Sequence, residues 1–425
     1  MGNYITLNRV LISDDRVDYY FDTSDSLKKY FTDDRHLFHQ YSHSIKGVPE
    51  SILVIPFLGN VMQIAWLTDS EVRVKAVDQV FFDSLFRLRE AYRKMNPNCP
   101  LNGKLIAENI VDNYTETSGA AQMFTGGLDA TVTFIRHRVE QPLLIQEYGF
   151  YRDELLRGAV YSGDERSERN YQVDRKMTED FAAQHGLHAT FVRSNYCTFI
   201  RSNAIDRDYS ARLGDSFWHG LHHAMAILAA AVPTAYQNRI KDLYIASSFS
   251  IGNTYPCASD PTTDNEFCFA GTRVIHDGYE MTDQDKARVA VLFQKELARP
   301  LPLRVCSWND KNCCSCEKCV RRILQLNAEG GDPRQFGFTV ESVFNVTNDY
   351  LNREIQFFTV KNIDKWRKII NRSLENYENV YDKSIVAFLK EYDFETEKKR
   401  GLLRYYHKNF FSIIRRKIKG FCARG

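Results

Sequence analysis

The apolar and polar positions of the first 115 residues change their period along the chain. Apolar and polar residues alternate over 4–22, which predicts two strands joined as a hairpin. The apolar stretch 51–66 predicts a further strand, whereas apolar residues over 77–95 recur at helical spacing. A stretch rich in proline, asparagine and glycine at 97–103 marks a boundary. We therefore expect residues 1–115 to form a small α+β accessory domain, in which no chemical motif is evident.

Between residues 116 and 300, short apolar runs alternate with helical patterns. Such alternation is typical of a parallel sheet with helices on its faces, so the expected fold class is α/β. The predicted strands are 120–124, 142–149, 188–192, 242–248 and 272–276, separated by predicted helices that include 176–185 and 218–232. Ligands of open α/β sheets bind beyond the carboxyl ends of the strands. The segments expected at that edge are 125–129, 148–149, 193–195, 247–253 and 276–277.

One glycine-containing segment joins the first of these strands to its helix: Phe124, Thr125, Gly126, Gly127, Leu128 and Asp129. The two glycines let the backbone approach an anion closely, and the following helix N-terminus offers N–H groups and a positive dipole end to phosphate. A carboxylate beside phosphates makes sense mainly as a ligand of Mg²⁺. A tight strand-to-helix turn without a ligand is the alternative, because short glycine motifs are frequent.

This segment resembles the Ser-Gly-Gly-x-Asp-Ser loop of the N-type ATP pyrophosphatases, known as the PP-loop. Thr125 replaces the first serine and keeps a hydroxyl, whereas Ala130 replaces the last serine and loses one. In that family the loop binds the pyrophosphate part of ATP while a substrate is adenylylated. The resemblance implies a HUP-type, Rossmann-like parallel sheet (adenine nucleotide alpha hydrolase-like). It also implies ATP and Mg²⁺ at residues 124–129, with Thr125 and Asp129 as catalytic residues.

Four of the ten cysteines lie within residues 313–319. Cys313, Cys316 and Cys319 recur every three residues, and Cys306 lies seven residues upstream. This spacing lets four thiolates close a tetrahedron around Zn²⁺, and a helix predicted to follow would fix one side of the cage. A four-thiolate iron–sulfur cluster is the alternative metal group. Cys314 is the spare cysteine and is expected to point away from the metal.

A cysteine knot at this distance behind a PP-loop domain is the arrangement of the 7-cyano-7-deazaguanine synthase (QueC-like) family. The resemblance covers about 118–328 and includes the pair Tyr148-Gly149, which is similar to a Tyr-Gly pair after the family's second strand. Thr254-Tyr255-Pro256 is similar to part of a later loop, although 259–264 departs from that loop. The resemblance implies a structural zinc and nucleotide contacts at Tyr148 and Gly149. The expected divisions of the chain are 1–115, 116–300 (PP-loop domain), 301–330 (zinc knot) and 331–425 (helical extension).

As the resemblance implies, the protein is an ATP-dependent, AMP-forming ligase. ATP would activate a small-molecule carboxylate, such as that of a deazaguanine acid, as an acyl-adenylate that an amine then attacks. QueC-like proteins also occur in anti-phage operons, where the acid can be joined to a protein amine, so a protein acceptor or partner subunit is a further hypothesis. Two alternatives stay open. One is a PP-loop enzyme that modifies tRNA, although no RNA-binding module is visible. The other is a nucleotide-binding, non-catalytic subunit of a larger assembly, such as an anti-phage one.

Other reactive side chains are better explained by structure than by chemistry. His219, His222 and His223 could share a helix face as metal ligands, but no carboxylate accompanies them at a suitable spacing. A buried or crevice-lining role is therefore expected for these histidines. Cys197 has no evident basic partner that would activate a thiolate. Arg193 is as consistent with a surface ion pair as with a contact to phosphate or carboxylate.

The composition is that of a folded protein: 425 residues, 44% hydrophobic and 26% charged. Neither a signal peptide nor a membrane-spanning stretch is evident, and crowded cysteines suit a reducing compartment, so we expect a cytoplasmic protein. The net charge is only +2, but residues 398–425 hold ten Lys/Arg, no acidic residue, and apolar residues at helical spacing. This basic amphipathic tail could contact a membrane surface, RNA or a partner, or pack on its own domain.

Overall fold

The computed structural model describes residues 2–149, 165–252, 256–306, 309–354 and 360–422. The chain forms two compact units, Met1–Thr282 (unit 1) and Asp283–Gly425 (unit 2). Among the described residues, all strands belong to unit 1, and the regular structure of unit 2 is helical.

Unit 1 is built on one sheet. Its strands are β1 (Tyr4–Ile12), β2 (Arg16–Thr23), β3 (His36–Tyr41), β4 (Glu71–Asp78), β5 (Lys104–Val111), β6 (Gly119–Met123), β7 (Leu143–Gly149), β8 (Ala189–Ser194), β9 (Ile240–Ala246), β10 (Cys268–Phe269) and β11 (Thr272–Asp277). Over the described residues the order across the sheet is β10-β11-β9-β6-β7-β8-β3-β2-β1-β4-β5. The hairpin predicted over 4–22 is the antiparallel pair β1–β2.

Five neighbouring strands, β11, β9, β6, β7 and β8, are parallel to one another. β3 joins β8 antiparallel, β2 and β1 continue antiparallel, and β4 and β5 return to parallel pairing. An α/β fold with a largely parallel sheet is therefore confirmed. The strands within residues 4–111 extend the same sheet beyond β8, and the compact units divide after Thr282. The boundaries expected at 115, 300 and 330 stay predictions.

Helices cover the sheet of unit 1 and make up the regular structure described in unit 2. Those of unit 1 are α1 (Glu50–Leu53), α2 (Ile55–Thr68), α3 (Gln79–Met95), α4 (Leu128–His137), α5 (Glu165–His185), α6 (Ser202–Leu213), α7 (His223–Gln237) and α8 (Pro261–Asp264). Those of unit 2 are α9 (Asp283–Glu296), α10 (Glu317–Ala328), α11 (Val343–Glu354), α12 (Val360–Glu375), α13 (Ser384–Glu391) and α14 (Phe394–Cys422). Across the described ranges, no helix has the length and apolar content needed to cross a membrane.

Alternate residues of the central strand β6 face opposite layers of unit 1. Ala121 and Met123 are buried in the hydrophobic core that also contains residues of α2 and α7. The intervening Gln122 faces α4, where its Nε2 donates to the carbonyl oxygen of Ala130 at 2.6 Å. Helices on both faces of the parallel strands leave the strand ends as the places where a ligand can approach.

The strand predicted over 51–66 is wrong, because this stretch forms α1 and α2. Every residue of α2 except the last is buried, so apolar side chains surround the helix and erase the helical period. Gly59 permits a close helix crossing, since a Cβ there would lie 2.2 Å from the Cβ of Ala229 in α7. The buried amides of Asn60 and Gln63 donate to carbonyl oxygens four residues earlier, at 2.8 and 2.7 Å.

Candidate nucleotide site and metal centre

The predicted phosphate-binding segment forms the turn between β6 and α4. The Phe124 N–H donates to the carbonyl oxygen of Ile145 in β7 at 2.9 Å, which extends the sheet ladder by one residue. Gly126 has a φ of +70°, a left-handed conformation that glycine adopts without strain. Gly127 is the N-cap of α4, and no described side chain caps this helix. The first-turn N–H groups of α4 therefore have the geometry of an anion-binding helix N-terminus.

The side chains of the turn differ in accessibility. Thr125 is exposed, and Asp129 is half-buried in the first turn of α4. Both could reach a ligand at the helix N-terminus. Ala130 is only 4% exposed, and its carbonyl oxygen accepts the Gln122 hydrogen bond. Position 130, where the PP-loop pattern has a serine, is therefore enclosed by protein in this chain.

The turn lies where the connections between the parallel strands change direction. From β6 the chain passes to β7 and β8 on one side, and it later enters β9 and β11 on the other side. A crevice forms beyond the carboxyl ends of the strands at such a reversal point, and ligands of open α/β sheets bind there. Residues 124–129 therefore combine a suitable turn with a suitable place in the sheet.

The register of the parallel strands brings other predicted segments to the same edge. Tyr148 near the end of β7 pairs with Arg193 near the end of β8. The Ser247 N–H, which follows β9, donates to the carbonyl oxygen of Asp277 at the end of β11, at 2.8 Å. Residues 253–255, which complete the predicted segment after β9 and begin the Thr-Tyr-Pro stretch, lie outside the described residues. The carboxyl-end segments that are described therefore converge as the topology requires.

Tyr148 and Gly149 have packing partners of their own. The Tyr148 ring is buried with its centroid 5.0 Å from that of Tyr171 in α5. A Cβ at Gly149 would lie 2.3 Å from the ring of Tyr196 and 3.0 Å from the Sγ of Cys197. The close approach of the Tyr196 ring therefore favours glycine at 149 whether or not a ligand binds there. This packing also buries Cys197, which is 6% exposed.

A cluster between α4, β9 and β11 was not recognised from the sequence. Asp277 accepts hydrogen bonds from the Thr133 hydroxyl at 2.8 Å and from His137 Nε2 at 3.2 Å. The other ring nitrogen of His137 contacts Glu140 at 2.8 Å, and the ring stacks on Tyr244 with centroids 3.8 Å apart. Burial opposes ionisation of both groups, but their hydrogen bonds prevail, so the pKa of His137 is raised and that of Asp277 is lowered. The cluster ties the end of α4 to the sheet.

A second unforeseen pair lies inside the sheet core. His39 in β3 and Glu147 in β7 have side chains 0% and 2% exposed, with Nε2 and Oε1 3.8 Å apart. The Ser194 hydroxyl of the intervening β8 donates to Glu147 at 3.0 Å. Burial lowers the pKa of His39 to about 3 and raises the pKa of Glu147 well above its usual range. Burial therefore favours the neutral form of both groups.

The four predicted metal ligands converge in unit 2. The Sγ atoms of Cys306, Cys313, Cys316 and Cys319 all lie within 4.8 Å of one another. Two of them come from the loop before α10, Cys316 is the N-cap of α10, and Cys319 lies in its first turn. Four thiols in this arrangement can hold a metal ion, and the donor set is consistent with Zn²⁺. Hydrogen bonding between the Cys316 and Cys319 thiols lowers the pKa of Cys316 and raises that of Cys319, because the two sulfurs share one proton.

Asn312 shapes the loop that carries these cysteines. Its Oδ1 accepts from the N–H groups of Val305 and Cys306 at 3.0 and 3.1 Å. Its Nδ2 donates to the carbonyl oxygens of Leu303 and Gly337 at 2.8 and 3.2 Å. One amide side chain therefore fixes four backbone groups around the cluster. No sequence pattern indicates this role, because an asparagine in a polar loop is common.

The histidines near residue 220 behave as packing residues. His222 is buried with its ring 5.0 Å from Phe217, and burial lowers its pKa to about 3. His223 contacts the carbonyl oxygen of Trp218 through Nδ1 at 2.9 Å. Among the residues with described positions, only the four cysteines are grouped to hold a metal. Arg193 forms an ion pair with Glu168 at 2.7 Å.

Comparison of the chain with protein-family models, with curated proteins and with solved structures finds no match. Two arrangements therefore carry the functional inference. In unit 1, the turn 124–129 presents a glycine-rich helix N-terminus at the reversal point of the sheet. In unit 2, four thiols converge at the start of α10. The first arrangement suits a phosphate group, and the second suits a metal ion.

Proposed function

We propose that unit 1 is an ATP-dependent adenylylating domain whose nucleotide binds at the turn 124–129. The observation that carries the proposal is the N-terminus of α4, which follows two glycines and lies at the reversal point of a parallel sheet. The strand order also supports it. Numbered from β6, the parallel strands lie in the order 3-2-1-4-5, which matches the first five strands of the Rossmann order.

Each residue of the turn has a role in this proposal. Backbone N–H groups from Gly126 to Asp129 and the Thr125 hydroxyl would hold the pyrophosphate part of ATP. Asp129 would hold Mg²⁺, which supplies positive charge against the charge developing on the departing pyrophosphate. Tyr148 and Gly149, at the end of the neighbouring strand β7, would border the nucleotide. The zinc in unit 2 would be structural, because four thiolates leave no open coordination position.

The proposed reaction has two steps. An oxygen of the substrate carboxylate bonds to the α-phosphorus of ATP, and the bond from that phosphorus to the pyrophosphate breaks. An amine nitrogen then bonds to the acyl carbon, loses a proton, and AMP leaves with the former carboxylate oxygen. Dividing the condensation in this way replaces one difficult step by two easier ones. The resemblance to QueC-like enzymes favours a deazaguanine acid as the carboxylate, and the long flanking segments favour a protein amine over ammonia as the acceptor.

Two other functions follow from particular features of the chain. The basic tail favours a PP-loop enzyme that adenylylates a base of tRNA. The buried Ala130, where a PP-loop has serine, favours a subunit that binds nucleotide without turning it over. The three functions differ in their products and in the molecule that stimulates them, so one set of assays separates them.

The test is exchange of labelled pyrophosphate into ATP, measured with deazaguanine acid, with other carboxylic acids and with tRNA in separate reactions. We expect exchange that depends on a carboxylic acid and falls strongly in Thr125→Val, which removes the hydroxyl. Thr6→Val, in β1, which four strands separate from β6, is the matched control and should exchange normally. Exchange that depends on tRNA would select the second function. ATP binding without exchange under any condition would select the third.

A further inference from the structure

Helix α14 packs on unit 2 at its start and projects apolar side chains into solvent further along. Phe394 is 5% exposed, with its ring 6.0 Å from Trp366. In contrast, Leu403 is 70% exposed, Tyr406 is 56% exposed and Phe410 is 55% exposed. Large apolar side chains with this exposure, in sequence along one helix, are the kind of patch that marks an interaction surface.

These exposed residues share one side of the helix. Leu403, Tyr406 and Phe410 follow at intervals of three and four residues, and Ile414 and Phe421 continue the same period in the sequence. Arg404 lies on a different side of the helix, and in the sequence basic residues follow it at intervals of four and seven: Lys408, Arg415 and Lys419. Because α14 is one continuous helix from Phe394 to Cys422, the spacing gives one mainly apolar side, with Lys399 and Lys417 in the same period, and one basic side.

The charge of this segment has one sign. Glu397 is the last acidic residue of the chain, and Arg400 and Arg404 pair with it. Residues 398–425 contain ten Lys/Arg and no acidic residue, although the whole chain has a net charge of only +2. An occupant of this surface must therefore supply negative charge and apolar material together.

We propose that α14 binds the surface of an anionic lipid membrane, with its apolar side inserted among the lipid chains and its basic side at the headgroups. A bilayer surface supplies negative charge and hydrocarbon at adjacent depths, which is what an amphipathic basic helix requires. A nucleic acid would neutralise the cations but leave Leu403 in water. A protein groove would cover the apolar side but has no need of ten cations. The helix lies on the membrane and does not cross it, in agreement with its low apolar content.

The test is sedimentation of the full-length protein with lipid vesicles at low and high salt. One set of vesicles is phosphatidylcholine alone, and the other contains about one third phosphatidylserine. We expect binding to the anionic vesicles, at least tenfold weaker binding to the neutral ones, and loss of binding at high salt. The variant Leu403→Asp with Phe410→Asp should lose at least tenfold in binding. Phe86→Asp is the matched control, because Phe86 is 62% exposed on α3, and it should bind as the wild type does.

A fluorescence measurement detects insertion of α14 into the membrane directly, without sedimentation of vesicles. Phe410→Trp should shift its emission to shorter wavelength when anionic vesicles are added, because the indole enters hydrocarbon. Equal binding to both kinds of vesicle, unchanged binding by the double aspartate variant, or no emission shift would overturn the proposal. Tighter binding to single-stranded RNA than to anionic vesicles would also overturn it. These outcomes do not depend on nucleotide turnover, so they are separate from the proposed function.

Discussion

At the scale of single residues, Cys314 lies in the loop that carries the converging cysteines, with a backbone φ of +52°. A side chain in this left-handed region costs roughly 1–2 kcal/mol relative to glycine. The Cys314 thiol contacts the carbonyl oxygen of Asn312 at 3.5 Å, and Cys314 is not among the four cysteines that converge. The position therefore serves to reverse the chain inside the cluster, which explains why a glycine would suit it.

We expect Cys314→Gly to keep its zinc and to unfold with a free energy equal to that of the wild type or higher by up to about 1 kcal/mol. The relief of left-handed strain would be partly offset by the greater freedom of glycine in the unfolded chain. Zinc content by mass spectrometry and denaturant unfolding are the measurements. Cys316→Ser is the comparison variant and should lose zinc. Equal zinc loss in both variants would show that Cys314 takes part in binding.

The packing of the Tyr196 ring is sufficient to explain glycine at position 149. We expect Gly149→Ala to lower the free energy of unfolding by about 1–3 kcal/mol, because the new methyl would press on the Tyr196 ring. Gly220→Ala is the control, since its Cβ would meet only ordinary contacts at 3.8 Å. Denaturant unfolding monitored by fluorescence measures both. If Gly149→Ala is as stable as the control, Tyr196 moves freely and packing does not explain this glycine.

The residues of the turn could be located from the sequence, but the buried pair His39–Glu147 could not. Glycines, a hydroxyl and a carboxylate between an apolar run and a helical pattern form a local signal. The structure has Phe124 to Gly127 between β6 and α4, and Asp129 in the first turn of α4. His39 and Glu147 meet only because β3 pairs with β8, which pairs with β7. No local pattern records a contact between residues so far apart in the chain.

At the scale of elements, the spacing of apolar residues predicted the helix α3 correctly but predicted a strand where α2 forms. The buried residues of α3, including Phe81, Leu85 and Leu88, lie at helical spacing opposite polar ones. α2 is buried on all sides against the sheet and α7, so its sequence has no polar side that would reveal a helix. A run of this kind is ambiguous between helix and strand until its neighbours are known.

The contact of α4 with β11 should depend on pH through His137. Its pKa is raised in the folded protein, so its contribution to stability is complete below about pH 6.5 and is lost as the pH rises through the raised value. The pKa of Asp277 is lowered, so its contribution is complete above about pH 4 and is lost at lower pH. His137→Gln should therefore destabilise the protein more at about pH 6 than at about pH 9.

Denaturant unfolding of wild type and His137→Gln at the two pH values measures this difference. His188→Gln, which alters an exposed histidine between α5 and β8, is the control and should show the same small effect at both. A larger cost for His137→Gln at the higher pH would contradict the ion-pair account of the cluster.

At the scale of the whole molecule, the main surprise is the continuity of the sheet. Residues 36–41 and 189–194 form the neighbouring antiparallel strands β3 and β8, so the strands of the first 111 residues extend the sheet that contains the parallel set. The sequence does not predict the pairing of β3 with β8, because pairing between strands this distant leaves no periodic trace. The accessory domain expected for residues 1–115 stays a prediction. The parallel set itself was predictable, since alternating strands and helices specify it.

Metal removal should affect unit 2 before unit 1. A chelator should expose the amides of the first turn of α10 and of the loop around Cys306, because a metal held by the four converging thiols would join these two segments. Hydrogen exchange measured by mass spectrometry should show this loss of protection, while β6 and β7 remain protected. Addition of Zn²⁺ should restore the protection. Unchanged exchange around Cys306 and α10 after complete metal removal would mean that the loop holds its shape without a metal.

The proposed function requires the turn 124–129 to support adenylylation by ATP. Its most direct test is the identity of the products when the protein is incubated with ATP, Mg²⁺, a deazaguanine acid and an amine. We predict AMP and pyrophosphate in equal amounts, with a loss of about a hundredfold or more in Asp129→Asn. Asp180→Asn, which alters an exposed carboxylate on α5, should leave the rate unchanged. Formation of ADP, or equal rates in wild type and Asp129→Asn, would contradict the claim.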